Sequence, residues 1–205
     1  MHIGSPALIA VDSSMLKIYL FRHGQTDWNK LYRLQGHSDI PLNEEGRQQA
    51  SLLATQLPLE EIEKVYASDL ARAIETAQLA TQNQIHLEQD PRLREAFLGD
   101  IEGQDRHQIP TLIGEERWNQ WLSYDPNNWN TQLPGPSESK NQVLARALEF
   151  LHELRQRPER TVAVCSHGVL IRTLLVHLGK DNSQPIGNCE WQLLEFPTDS
   201  PCLNL

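Results

Sequence analysis

Ile18 to Phe21 and Thr161 to Cys165 are short, unbroken runs of mostly apolar, β-branched and aromatic residues that end in polar ones. Such runs predict strands buried on both faces, as in a parallel sheet. Lys64 to Ala67 and Ile85 to Glu88 read as two further short strands, and Glu190 to Phe196 as a fifth. Between them the apolar positions take the helical period. Glu44 to Leu57 carries Ala50, Leu53, Ala54 and Leu57, and Ser139 to Arg157 carries Val143, Ala147, Leu151 and Leu154. Asn43 is a predicted cap ahead of the acidic pair Glu44 and Glu45, and Pro158 closes the later helix. Alanine-rich Leu70 to Thr81 and apolar Val169 to Leu178 supply two more helices. Strands alternating with helices predict an α/β fold, a three-layer α/β/α sandwich with a mainly parallel central sheet.

Gln104 to Pro136 breaks this rhythm with Trp118, Trp121, Tyr124 and Trp129 among four prolines. We expect an excursion over the site, spanning 104–136, whose tryptophans either roof a pocket or form the excursion's own core. A chain of 205 residues suits one domain, here 15–205. Residues 1–14 read as a loose N-terminal extension, with Met15 as a functional start immediately before an apolar strand.

The formal net charge of -9 speaks against a nucleic-acid or anionic-membrane partner, though not against a local cationic pocket. No apolar run approaches membrane-spanning length, and the start lacks the features of a secretory signal. Cys165, Cys189 and Cys202 show neither pairing nor metal-ligand spacing, which predicts free thiols in the reducing cytoplasm. The eight histidines show no tight ligand spacing, so no metal or cofactor is expected. Oligomeric state has no visible signature, and a homodimer is compatible with the sequence.

The first pair of apolar strands, Ile18 to Phe21 and Thr161 to Cys165, each lead into a histidine followed by glycine, in Arg22-His23-Gly24 and Ser166-His167-Gly168. Ligands of open α/β sheets bind outside the carboxyl ends of the strands, so two imidazoles are predicted to converge there. Glycine after each histidine permits a sharp turn and a close approach of backbone N–H groups to an anion. Gly168 also opens a helix whose positive end is expected to face that anion. Cys165, at the end of a buried strand, reads as a structural thiol. Ser166 and His167 are adjacent on an extended chain, so they point apart and do not form a nucleophile and base.

Arg22-His23-Gly24-Gln25-Thr26-Asp27-Trp28-Asn29 resembles the histidine phosphatase superfamily, in its phosphoglycerate mutase-like branch. The likeness continues through Arg33 to Gly36, Ser68 to Ala73, Leu93-Arg94-Glu95, Glu102-Gly103 and Ser166-His167-Gly168, and so spans nearly all the chain after Met15. The resemblance implies a phosphoglycerate mutase-like fold and a metal-independent phosphatase acting on small phosphate monoesters. It implies His23 as nucleophile, with its other ring nitrogen bonded to a backbone carbonyl near Gly24. Arg22, Arg72 and His167 are implied to hold the phosphoryl group, with Asn29 as a neutral donor. Glu95 is implied as the proton donor, which we expect to be partly buried. Gln35, Gly36 and Gly168 are implied as further substrate contacts.

Three rivals are compared with this reading. A phosphoglycerate mutase must retain a bisphosphorylated intermediate, and the excursion offers Arg106, Arg117 and His107 against Asp105, Glu115, Glu116 and Asp125, a poor balance for a polyanion. The segment from Ala96 to Arg106 also does not resemble that of the family's mutases. A protein phosphohistidine phosphatase of the family's minimal kind would lack the segment bearing Glu95. A non-catalytic phosphoester-binding module would have no need of His23, His167 and Glu95 together.

Overall fold

The computed structural model describes residues 15–180 and 184–198. The N-terminal extension 1–14 and Cys202 lie outside them. The elements in chain order are β1 (Met15–Arg22), α1 (Asp27–Lys30), α2 (Glu44–Leu53), β2 (Lys64–Ala67), α3 (Ala71–Ala80), β3 (Leu87–Gln89), α4 (Ile109–Ile113), α5 (Glu115–Leu122), α6 (Lys140–Gln156), β4 (Thr161–Ser166), α7 (Gly168–His177) and β5 (Trp191–Pro197). The strands form one sheet in the order β3-β2-β4-β1-β5. β1, β2, β3 and β4 run parallel and β5 pairs antiparallel with β1 at one edge.

Alternation along the central strands builds the three layers. Leu16, Ile18 and Leu20 of β1 share a core with Val162 and Val164 of β4, with Val143, Ala147 and Leu151 of α6, and with Leu170 and Leu174 of α7. Tyr19 and Phe21 point the other way, into a second core with Ala163, Cys165, Leu53 of α2, and Ala73, Ala77 and Ala80 of α3. Both faces are covered, which is why these strands read as continuous apolar runs rather than as alternating ones.

Asn43 caps α2 by accepting a hydrogen bond from the Gly46 N–H at 2.9 Å, and Ser139 and Gln142 form a capping box at the start of α6. α2 stops at Leu53, four residues short of the expected end at Leu57. Pro58 disfavours helical backbone at the residue before it, and the chain tightens into three-residue turns at Thr55 and Gln56. Leu57 still packs in the α2-side core. β3 covers Leu87–Gln89 rather than 85–88, because β2 is only four residues long and offers partners only there.

Candidate active site

The register of β1 and β4 brings the two histidines together. Arg22 stands opposite Ser166, and the His23 N–H donates to the Ser166 carbonyl at 3.0 Å, so His23 and His167 leave adjacent strands side by side. Their ring centroids are 5.0 Å apart and both side chains are buried. The Nδ1 of His23 lies 2.7 Å from the Gly24 carbonyl oxygen. A carbonyl only accepts, so Nδ1 carries the hydrogen and Nε2 keeps its lone pair. Burial, then the charges of Arg72 and Arg22, hold the imidazole well below the usual histidine range, and it is neutral at neutral pH.

Gly24 is required by a close approach. A Cβ there would lie 2.5 Å from the Gly46 carbonyl oxygen in the first turn of α2. The Gly24 N–H donates to Thr76 Oγ1 at 2.9 Å, and that hydroxyl donates to the Arg72 carbonyl at 2.6 Å, which ties the His23 turn to α3.

Arg72 is fully buried, and its two amino groups donate to the carbonyls of Ser38 and Gly36 at 2.8 and 2.7 Å. Burial lowers the guanidinium to about 10, still charged at neutral pH. Arg22 donates to the Ile186 carbonyl at 2.7 Å. The Nε atoms of Arg22 and Arg72 and both ring nitrogens of His167 are buried without a hydrogen-bond partner among the described residues. An unmet buried donor costs about 1–3 kcal/mol, and more when charged, so grouping several around one imidazole marks a site shaped for an anion. Arg22, Arg72 and His23 line the main cavity, whereas His167 packs beside His23 and is not part of the cavity wall.

Glu95 is half-buried, and its carboxylate accepts from the N–H groups of Ala96 at 2.9 Å, Val169 at 3.1 Å and Leu170 at 3.3 Å. The positive end of α7 therefore faces Glu95, a correction to the expectation that it faces the anion directly; a carboxylate is a strong acceptor for the unpaired amides of a first helical turn. The neighbouring arginines turn away, Arg92 to Asp90 and Glu153 and Arg94 to Asp69. His37 and Arg146 fix the Glu95 backbone, each donating to its carbonyl at 2.8 Å.

Asn29, Gln35, Gly36 and Gly168 all line the cavity. Asn29 also closes a capping box with Thr26 at the start of α1, so the cap role and the cavity position coexist. Gln35 accepts from Thr26 Oγ1 at 2.9 Å. Gly36 has φ +52, and a Cβ there would meet the Glu102 carboxylate. Its carbonyl serves Arg72, so Gly36 contributes by positioning that arginine. Glu102 accepts from the N–H groups of His37, Ser38 and Leu98 and from Ser38 Oγ, at 2.7–3.1 Å. It braces the loop on which Arg72 rests, a role that its place in the sequence did not reveal.

The cavity holds about 470 Å³. Asp105, Glu115, Glu116 and Asp125 do not line it, whereas Arg106, Lys140 and Arg172 do. The acidic balance read from the excursion is thus corrected: its carboxylates face elsewhere, and two cations come from helices outside it. Lys140, Arg172, Ile186 and Asn188 were missed because they are distant in sequence and carry no motif. Trp118 and Trp121 stack with centroids 5.6 Å apart and line the cavity while also belonging to the core; Trp129 belongs to the core alone. Cys165 and Cys189 are free thiols, and burial raises both, Cys189 to about 12. Among the described residues no three His, Cys, Asp or Glu side chains converge as a metal centre would require, and no helix is long and apolar enough to cross a membrane.

Comparison with known proteins agrees with this geometry. The family described as histidine phosphatase superfamily (branch 1) matches residues 18–205. Phosphoglycerate mutase-like protein 4 of Arabidopsis thaliana is 36% identical over 168 residues, covering 80% of this chain and 71% of that protein. Among solved structures, a mycobacterial glucosyl-3-phosphoglycerate phosphatase in complex with VO3 superposes with a TM-score of 0.73 at 32% identity, covering 88% of this chain and 92% of the other. YhfR of Bacillus stearothermophilus gives 0.76 at 33% identity, covering 87% and 90%.

Proposed function

The chain belongs to the histidine phosphatase superfamily, and from that premise we propose that it hydrolyses small phosphate monoesters, without a metal, through a phosphohistidine on His23. The Nε2 lone pair attacks phosphorus, and the bond from phosphorus to the ester oxygen breaks. Glu95 passes a proton to the departing alkoxide and then takes one from the water that attacks the phosphohistidine, releasing inorganic phosphate and restoring neutral His23. Arg22 and Arg72 balance the charge on the phosphoryl oxygens, and His167 adds a donor from beside the nucleophile. Asn29, Gln35 and Gly168 complete the contacts around the ester. We place this enzyme in the reducing cytoplasm, acting on small molecules rather than on nucleic acid or membranes.

The observation that carries this reading is the bond from His23 Nδ1 to the Gly24 carbonyl, because it commits Nε2 to the unprotonated form. The test is rapid-quench trapping with a ³²P-labelled ester in the presence of EDTA. Acid-labile label on His23, lost in His23→Ala together with turnover, is the expected result. Steady turnover with no such label overturns the mechanism.

The cationic cavity favours a second reading, phosphoglycerate mutase-type transfer, which needs extra cations to retain a bisphosphorylated intermediate. Incubation of 3-phosphoglycerate with a trace of 2,3-bisphosphoglycerate separates the two. Release of inorganic phosphate faster than formation of 2-phosphoglycerate is the outcome expected of a phosphatase.

A further inference from the structure

The loop that leads into β5, residues 184–190, grips the start of the site along its main chain. The Arg22 N–H donates to the Glu190 carbonyl and the Arg22 carbonyl accepts from the Cys189 N–H, both at 3.1 Å. Between these contacts the Asn188 side chain reaches the nucleophile itself. Its Nδ2 donates to the His23 carbonyl at 2.9 Å and, at 3.4 Å, to Asn29 Oδ1. Asn188 and Asn29 both line the cavity.

Donor and acceptor chemistry fixes both amides. A carbonyl only accepts, so the Asn188 atom that faces His23 is nitrogen. The Thr26 N–H only donates, so the Asn29 atom that faces it at 3.1 Å is oxygen. With that oxygen committed to Thr26 and Asn188, the two N–H donors of Asn29 Nδ2 remain for the cavity. The peptide between His23 and Gly24 is meanwhile clamped at both ends, by Asn188 on its oxygen and by Thr76 on its nitrogen. Because a peptide is planar, tilting it would also displace the Gly24 carbonyl against which the His23 ring is oriented.

The backbone that presents Asn188 is strained. Cys189 has φ +57, a left-handed conformation that residues with a Cβ rarely adopt. The Glu190 carboxylate closes this turn by accepting from the Gly187 N–H at 2.6 Å. Such strain persists only where the surroundings enforce it, and it clusters at functional sites. We infer that Asn188 is a positioning residue for phosphoryl transfer. It keeps the His23 main chain and the Asn29 amide in one register, so that Asn29 Nδ2 donates to the phosphoryl group that His23 Nε2 attacks. This inference rests on the phosphatase reading above.

The test follows the rate at which His23 acquires label from ³²P-labelled p-nitrophenyl phosphate by rapid quench, per folded molecule as counted from a denaturation curve. Asn188→Ala is expected to slow labelling roughly tenfold while changing inhibition by inorganic phosphate less than about threefold. Asn188→Asp keeps the shape but sets a carboxylate against two acceptor oxygens, so it is expected to slow labelling at least as far. It also keeps the test open if Asn188→Ala folds poorly. In an Asn29→Ala background, Asn188→Ala is expected to cost only about threefold, because one of the groups it aims is gone. A loop brace with no part in the transfer would lower the folded fraction and add independently to the Asn29 loss. Labelling unchanged in both Asn188 variants, or equal losses with and without Asn29, overturn the inference while leaving the phosphatase intact. Wild-type enzyme that acquires no label and releases no nitrophenol overturns both readings.

Discussion

The Nδ1 of His23 lies 2.7 Å from the carbonyl oxygen of Gly24, the residue that follows it in the chain. This contact sets the tautomer of the ring, and the turn that makes it possible requires a residue without a Cβ, because the Gly46 carbonyl occupies that space. Gly24→Ala should therefore damage both the turn and the nucleophile. We expect a loss of about 1–3 kcal/mol in stability, measured by denaturant midpoint, together with a fall in kcat beyond what the unfolded fraction explains.

Glu95 is held by three amides and by its own anchored carbonyl, which keeps the carboxylate near the start of α7. Glu95→Gln removes proton transfer while keeping a similar shape. Turnover of an alkyl phosphate should drop about 10²–10⁴-fold, whereas p-nitrophenyl phosphate, whose leaving group needs little protonation, should lose far less. Equal losses on both esters would remove Glu95 from the proton-donor role.

Glu102 touches no reacting atom in this scheme, yet it braces the loop whose carbonyls hold Arg72. Glu102→Ala is expected to raise KM for phosphate esters and weaken inhibition by inorganic phosphate by roughly tenfold, in line with one displaced charge-assisted contact. Glu102→Gln, which retains one acceptor oxygen, should restore part of that loss. A purely structural role would lower the amount of folded enzyme and leave KM where it was.

His23 and His167 are fully buried, and both are held well below the usual histidine value, first by burial and then by arginine charge. In the unfolded chain each titrates near 6.5. Below that pH the unfolded state takes up protons that the native state refuses, so stability is present above about 6.5 and is lost as the pH falls. The slope is about 1.4 kcal/mol per pH unit for each histidine until its native value is reached. Chemical denaturation at pH 7 and pH 5.5 should show this decline, and His167→Gln should have a shallower one. A wild-type stability flat across that interval would contradict the buried, neutral state of the pair.

The sequence by itself determined the strands that carry the two histidines, the helices around them and the candidate nucleophile. Those features are local: apolar runs, helical periodicity, a cap at Asn43, and a compact motif from Arg22 to Asn29. The tertiary structure alone decided which charges face the cavity. The carboxylates of the excursion and the cations Lys140 and Arg172 are equally polar in a linear reading, but helix faces and strand register keep the acids out of the cavity lining and bring Lys140, Arg172 and Arg106 into it. It also decided that the start of α7 serves Glu95, and that Glu102 supports Arg72 across 30 residues of chain. Electrostatic partnership depends on distance in space and on shielding from water, and neither is written in the spacing of residues along the chain.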